Sequence, residues 1–274
     1  MERLTRRAVT TIRENYQEPL VLDDLARSVM MSKFHFIRVF QRTTGVTPGR
    51  FLSAVRLHEA KSLLIHSSFN VADISARVGY SSASTFSRRF TGSVGLSPTQ
   101  FRRAGRGDTL GDPRIAPAPV AGGAHGSVAG TARTQGRSRH PLYIGLFDSP
   151  ILQGQPVAWT KLDRAGAYQL QRVPPGMWHL HAVTLGARAT GDQWGDSPLL
   201  VGTVGPVQVG ANGCTRVDVV LRREDWTRPP VLLALPGFGS RPARPRAADG
   251  ACPAGPHRSE AGFRAPHRRA AAGA

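Results

Sequence analysis

An internal repeat near the start constrains this chain most. Leu22-Asp23-Asp24-Leu25-Ala26 matches Val71-Ala72-Asp73-Ile74-Ser75 at an offset of 49 residues. One inserted residue then makes the offset 50. With it, Ser32, Phe36, Arg38, Phe40, Gly45, Pro48 and Phe51 match Ser82, Phe86, Arg88, Phe90, Gly95, Pro98 and Phe101. Self-similarity at a fixed spacing means one supersecondary unit used twice. Apolar residues across 1–104 recur with the period of an amphipathic helix. The two units, about 20–66 and 70–103, therefore read as helical.

Each unit predicts a helix, a tight turn and a second helix. In the first, Val21–Ser28 is a short helix and Val29-Met30-Met31 the turn. Ser32 is the N-cap of a helix to about Thr44, which Gly45 ends. Thr47 then caps a third helix with Pro48 at its first position. It runs through Phe51, Val55, Ala60, Leu63 and Leu64 to about His66. At 1.5 Å per residue it is about 30 Å long, close to the ~34–36 Å of one DNA turn. The second unit repeats the plan: a Val71–Val78 helix, a turn at Gly79-Tyr80-Ser81, a Ser82 cap and a helix to Val94. Gly95 stops that helix, and Ser97 caps a closing helix that starts at Pro98.

The helix after Ser32 is the informative one. At 100° per residue, Phe36, Val39 and Phe40 share a core face. Phe34, Ile37, Arg38, Gln41 and Arg42 lie opposite. An outer face with Phe and Ile meets a partner, or covers a neighbouring helix. In a major groove, Arg38 can bond a guanine bidentately and an apolar group can pack on a thymine methyl. Lys33, Gln41 and Arg42 lie where they could reach phosphates, which set register without reading sequence. In the second unit the face holds Ser84, Ser87, Arg88 and Thr91. Ala83 and Arg89 lie beside it, and Ser82 and Arg89 are its phosphate candidates. Only Arg88 is long enough to reach deep into a groove, so the first unit is expected to read bases and the second to anchor.

Charge agrees with a polyanionic partner. The formal net charge is +18, and it is uneven. Residues 1–106 carry 17 Lys/Arg against 7 Asp/Glu, residues 107–226 carry 11 against 9, and residues 227–274 carry 8 against 2. Nucleic acid or an anionic membrane surface could take such an excess. No apolar run approaches the ~18 residues of a membrane span, and residues 1–15 lack the apolar core of a signal peptide. The two cysteines, Cys214 and Cys252, form no framework and fit a reducing cytoplasm.

These residues resemble the AraC/XylS family of bacterial transcription regulators. The resemblance rests on Leu-x-x-Leu-Ala-x-x-Val at 22–29, Ser-x-x-x-Phe-x-Arg-x-Phe at 32–40 and Gly45-Val46-Thr47-Pro48. Arg56-Leu57-x-x-Ala60 continues it in the joining helix. The second unit adds Ile74-x-x-x-Val78-Gly79-Tyr80, Ser84-x-Phe86-Ser87-Arg88-x-Phe90 and Gly95-Leu96-Ser97-Pro98-x-x-Phe101-Arg102. It covers about residues 5–104. It implies a homeodomain-like double helix-turn-helix domain, sequence-specific binding of double-stranded promoter DNA and contact with RNA polymerase. Separately, a cytoplasmic, nucleoid-associated location and no cofactor are expected. The implied base-contacting positions are Phe34, Ile37 and Arg38, then Ala83, Ser84, Ser87 and Arg88. Two departures stand out. Ala83 and Ser84 are short, and the DNA-binding part comes first where most members place it last.

The rest of the chain reads as a multidomain arrangement. Residues 105–139, rich in Gly, Ala, Pro and Arg, read as a flexible linker. Residues 140–226 alternate apolar and polar runs and read as an all-β sandwich domain. Its expected strands are Leu142–Phe147, Gln155–Thr160, Gly166–Gln171, Met177–Thr184, Leu199–Val204 and Thr215–Leu221. Gly166–Leu180, with its Pro174-Pro175-Gly176 turn, resembles the transthyretin-like modules of carboxypeptidase regulatory domains. That likeness implies a sandwich and no chemistry. Residues 227–274 read as an Arg/Pro/Ala-rich disordered tail that begins with a short apolar stretch, Val231–Leu235.

The β-domain offers two weaker site readings. His179 and His181 share a strand face and could bind a metal with Asp192 or Asp196. The plainer reading makes them surface residues opposite a Trp178–Leu180–Ala182 core face. Trp159, Trp178, Trp194 and Trp226 could line a pocket, and 192–196 could form a loop site, but packing explains the tryptophans better. In a transcription regulator such a domain would sense a small-molecule or protein effector, or mediate assembly. Two other functions compete with a regulator. One is a nonspecific architectural DNA-binding protein, held by phosphate contacts alone. The other is an enzyme with a fused DNA-binding domain. It is the weakest reading, because no nucleophile–base pair, phosphate loop or strong metal motif is present.

Overall fold

The computed structural model describes residues 2–106, 124–135, 140–184, 200–223 and 225–234. Its first part holds seven helices: α1 Glu2–Glu14, α2 Leu22–Ser28, α3 Lys33–Thr44, α4 Pro48–His66, α5 Val71–Arg77, α6 Ala83–Val94 and α7 Pro98–Gly105. The local signals place the boundaries. Gly45 and Gly95 end α3 and α6 in the left-handed conformation, at φ +79° and +87°. The hydroxyls of Thr47, Ser82 and Ser97 accept the backbone N–H groups of Arg50, Thr85 and Gln100. Ser32 takes the extended cap conformation without a side-chain bond.

The sequence repeat is also a packing repeat. In the first unit the rings of Phe36, Phe40 and Phe51 stand edge-on in series, with centroids 5.6 Å apart at each step. In the second unit Phe86, Phe90 and Phe101 follow the same order at 5.6 Å per step. All six are buried. α1 lies against the first unit through Ala8, Val9 and Ile12.

The equivalent turns differ. Gly79, at φ +82°, lies so close to its neighbours that a Cβ would meet the Gln17 carbonyl at 2.7 Å and the Arg56 guanidinium at 2.9 Å. Met30, 49 positions earlier, holds the same left-handed region at φ +54° but is 91% exposed. The turn of the second unit therefore excludes a side chain, and the turn of the first tolerates one.

The second part is built from eight strands: β1 Gly126–Thr134, β2 Leu142–Phe147, β3 Ala158–Leu162, β4 Gly166–Val173, β5 Gly176–Thr184, β6 Leu200–Val209, β7 Cys214–Arg216 and β8 Val219–Arg223. They form one sheet in the order β3-β2-β5-β6-β8-β1-β4, with β7 paired to β1. Pairing is antiparallel except where β1 meets β7 and β8. The end strands β3 and β4 are joined by a short turn and lie side by side, so the sheet curls nearly into a barrel. This corrects the expected sandwich, because one continuous path of strands replaces two separate sheets. β4 and β5 flank the Pro174-Pro175-Gly176 turn but pair with different strands.

Three departures from the sequence reading have physical causes. β1 lies in the segment read as linker. Val128 and Ala132 are its inward apolar residues, and Gly130 sits between them because a Cβ there would overlap the Val217 carbonyl at 1.7 Å. Such a strand gives almost no alternating apolar signal. The single strand expected over 215–221 is two, β7 and β8. Between them Asp218 turns aside to accept the Thr131 N–H at 2.7 Å. Cys214 is exposed on β7. Cys252, the 192–196 loop and most of the tail lie outside the described residues. The tail's opening stretch, 231–234, is packed and not loose.

Three apolar clusters result. One fills the helical part. One lies inside the curled sheet, around Leu142, Ile144, Leu146, Leu170 and Leu180. The third covers the outer face of β2, β5 and β6, where Tyr143, Phe147, Val183 and Val201 meet Leu152 and Leu233. Both faces of β2 are therefore covered, and all six of its residues are buried.

Candidate nucleic-acid interface

Three helices set the geometry. α4 is 19 residues long, about 28 Å at 1.5 Å per residue, and it joins the two units without a break. α3 precedes it and α6 follows α5 after it. Each is the second helix of its helix-turn-helix.

On α3 the core face is Phe36, Val39 and Phe40, all buried. Phe34 is 79% exposed. Lys33, Arg38, Gln41 and Arg42 are exposed and Ile37 is half-buried. The sequence-predicted face is thus one continuous outer surface, with an aromatic ring at its start and guanidinium groups farther along. On α6, Ser84, Arg88 and Arg89 are exposed, while Ser82, Ala83 and Ser87 are half-buried. Ser82 and Ser84 bond each other through their hydroxyls at 2.8 Å. Both are therefore partly engaged within the protein, whereas Arg88 projects from the helix.

Lys33 is not simply a cation held out to solvent. Its Nζ donates to Asp23 Oδ2 of α2 at 3.2 Å. Both side chains are about half exposed, so the pair is weak, about 0–1 kcal/mol, and a phosphate can displace the carboxylate.

Two motif arginines serve the fold instead. Arg56 of α4 donates to the Tyr16 carbonyl at 2.7 Å and the Glu18 carbonyl at 2.8 Å, and lies over the Tyr80 ring. Arg102 of α7 donates to the carbonyls of Leu64 and Phe69 and closes the end of α4. The basic excess of this part is therefore not all surface charge.

The β-part readings resolve differently. His181, expected at the surface, is 1% exposed. Its Nε2–H donates to the Ser149 carbonyl at 2.9 Å, and its Nδ1 accepts the Thr203 hydroxyl at 3.0 Å. Burial pushes its pKa down to about 4, opposed by the Ser149 bond and aided by His179 and Arg228. It is buried because the outer sheet face has a cover of its own. Among the described residues no group of three or more His, Cys, Asp or Glu could hold a metal ion. The three described tryptophans have separate packing roles. Trp159 stacks on Tyr143, Trp178 donates to the Pro174 carbonyl, and Trp226 lies under the Arg6 guanidinium. No described helix is long and apolar enough to cross a membrane.

Two helix-turn-helix units on one joining helix define a DNA-binding domain of the helix-turn-helix class, and residues 25–104 match the family described as "Helix-turn-helix domain". The N-terminal part of the chain carries an AraC-type DNA-binding domain, with relatives in the AraC/XylS family. It is similar to the lactose operon transcription activator of Staphylococcus xylosus, at 36% identity over 35% of this chain and 34% of that protein. It is also similar to the melibiose operon regulatory protein of Escherichia coli, at 32% identity over 34% of this chain and 30% of that protein. A solved transcriptional regulator of Chromobacterium violaceum with an AraC-type DNA-binding domain is 28% identical. That likeness covers 38% of this chain and 93% of that one, with a TM-score of 0.37. The chain spans about a third of the length of the curated relatives it matches.

Proposed function

We propose that the protein is a sequence-specific regulator of transcription initiation that binds double-stranded DNA at bacterial promoters. The observation that carries this reading is the pair of exposed faces, α3 with Phe34 and Arg38 and α6 with Arg88, at either side of one unbroken 19-residue helix. That spacing suits two successive major grooves on one face of the duplex. Phe34, Ile37 and Arg38 read bases in the first half of the site, and Ala83, Ser84, Ser87 and Arg88 lie against the second. Lys33, Gln41, Arg42, Ser82 and Arg89 hold phosphates. The partners are promoter DNA and RNA polymerase, in the cytoplasm at the nucleoid. An effector, a small molecule or a protein, acts on the β-part.

The net charge of +18 favours one second reading, an architectural protein held by phosphates alone. Footprinting and sequence selection at about 150 mM salt, near physiological ionic strength, separate the two. A discrete protected site of about two helical turns is expected. Uniform protection of unrelated sequences would overturn the regulator reading.

A further inference from the structure

The helical part and the sheet are joined by a seam of two short segments. In 231–234, alternate residues enter different cores. Leu232 and Ala234 belong to the helical core, and Leu233 belongs to the outer sheet cluster with Val231 against it. Ile151 and Leu152 divide in the same way. The segments bond each other, because the N–H groups of Leu232 and Leu233 both donate to the Leu152 carbonyl at 3.0 and 3.1 Å. Leu232 is fully buried.

The seam holds two helices of the DNA-binding part. The last carbonyls of any helix lack partners within it. At the end of α6, Gly154 N–H donates to the Ser93 carbonyl at 2.8 Å and Ala234 N–H donates to the Val94 carbonyl at 2.9 Å. In α4, Lys61 is 7% exposed, and its Nζ donates to the carbonyls of Val231 and Leu232, each at 3.2 Å. α3 and α6 share the local closing bond, Gly45 N–H to the Gln41 carbonyl and Gly95 N–H to the Thr91 carbonyl, and the seam bonds are added at α6. The seam segments thus cap the end of α6.

We infer that the β-part is a brace that sets the pose of α6 through this seam, with Lys61 as its positioning residue. A change in the sheet is felt at the second half of the DNA site and spared at the first. The DNA consequence rests on the proposed function. The brace itself does not, and the two are tested separately.

Hydrogen exchange of the full chain without DNA tests the brace, using Lys61→Met, Lys61→Arg and Leu232→Ala. In Lys61→Met and Leu232→Ala, amides in the last turn of α6 and at Gly95 should exchange at least tenfold faster, with α3 changed less than twofold. Lys61→Arg, which keeps donors at that place, should restore most of the protection. Equal acceleration in α3 and α6, or none in α6, would overturn the brace. Should Leu232→Ala fail to fold, Lys61→Met alone decides. Footprinting of the same variants should show protection lost in the half-site under α6 and kept under α3. Loss in both halves together, with α6 exchange selectively raised, would keep the brace and refute its reach to DNA. A wild-type chain without a discrete footprint would refute the DNA reading and leave the exchange result standing.

Discussion

At the residue scale, the two turns make opposite predictions from one conformation. A side chain in the left-handed region costs about 1–2 kcal/mol, and the added chain freedom of glycine offsets about 0.5–1 kcal/mol. Met30→Gly should therefore stabilise the protein by up to about 1 kcal/mol. Gly79→Ala should destabilise it by about 2–3 kcal/mol, because the new methyl meets the Gln17 carbonyl. Urea unfolding midpoints read both. For DNA, Arg38→Ala should cost about 1–3 kcal/mol of affinity and relax one base position. Equal weakening on all sequences would assign Arg38 to phosphate. The exposure of Phe34 and Arg38 was legible from the period of the helix alone. The engagements of Lys33 with Asp23 and of Arg56 with Tyr16 and Glu18 were not, since they need partners 10 to 40 positions away.

At the scale of elements, α4 joins two short units by one unbroken helix. Ser62 is exposed in its last third. Ser62→Ala should add about 0.5 kcal/mol of stability and leave DNA affinity unchanged. Ser62→Pro should cost about 3 kcal/mol or more and reduce affinity for the intact site more than for either half-site. Binding measured on whole and half duplexes checks this. The helices were readable because their punctuation is local, as in the Thr47–Pro48 start and the Gly45 and Gly95 stops. β1 was not, because Val128, Gly130 and Ala132 make an inner face too small to show a period of two. The strands β2 and β5 were placed almost to the residue, since both bury large apolar runs.

For the whole molecule, covering the outer sheet face has a pH signature. His181 stays neutral in the fold down to about pH 4, whereas in the unfolded chain it takes a proton near pH 6.5. Above about pH 6.5 both states are neutral and its contribution to stability is fully present. As pH falls from there towards 4, only the unfolded chain gains the proton, so stability is lost. Between pH 7.5 and pH 5 the loss is on the order of 2 kcal/mol. His181→Gln should flatten that part of the profile in urea unfolding at the two pH values. An equal slope in both proteins would show that other groups govern it. The seam over this outer sheet face was visible in sequence only as an apolar stretch after Pro230. Its partners, Lys61, Leu152 and Val94, are scattered far upstream.

The alternation of 231–234 between two cores also fixes an order of events during synthesis. Chains leave the ribosome at about 5–20 residues per second, and their N-terminal domains fold first. The seven helices are therefore made several seconds before Leu232 and Ala234, which complete their core. Through that interval the Val94 carbonyl lacks the Ala234 N–H, and the Val231 and Leu232 carbonyls that Lys61 meets are not yet made. The seam is completed last, so a chain that stops before Val231 keeps only the Ile151–Gly154 half of the joint.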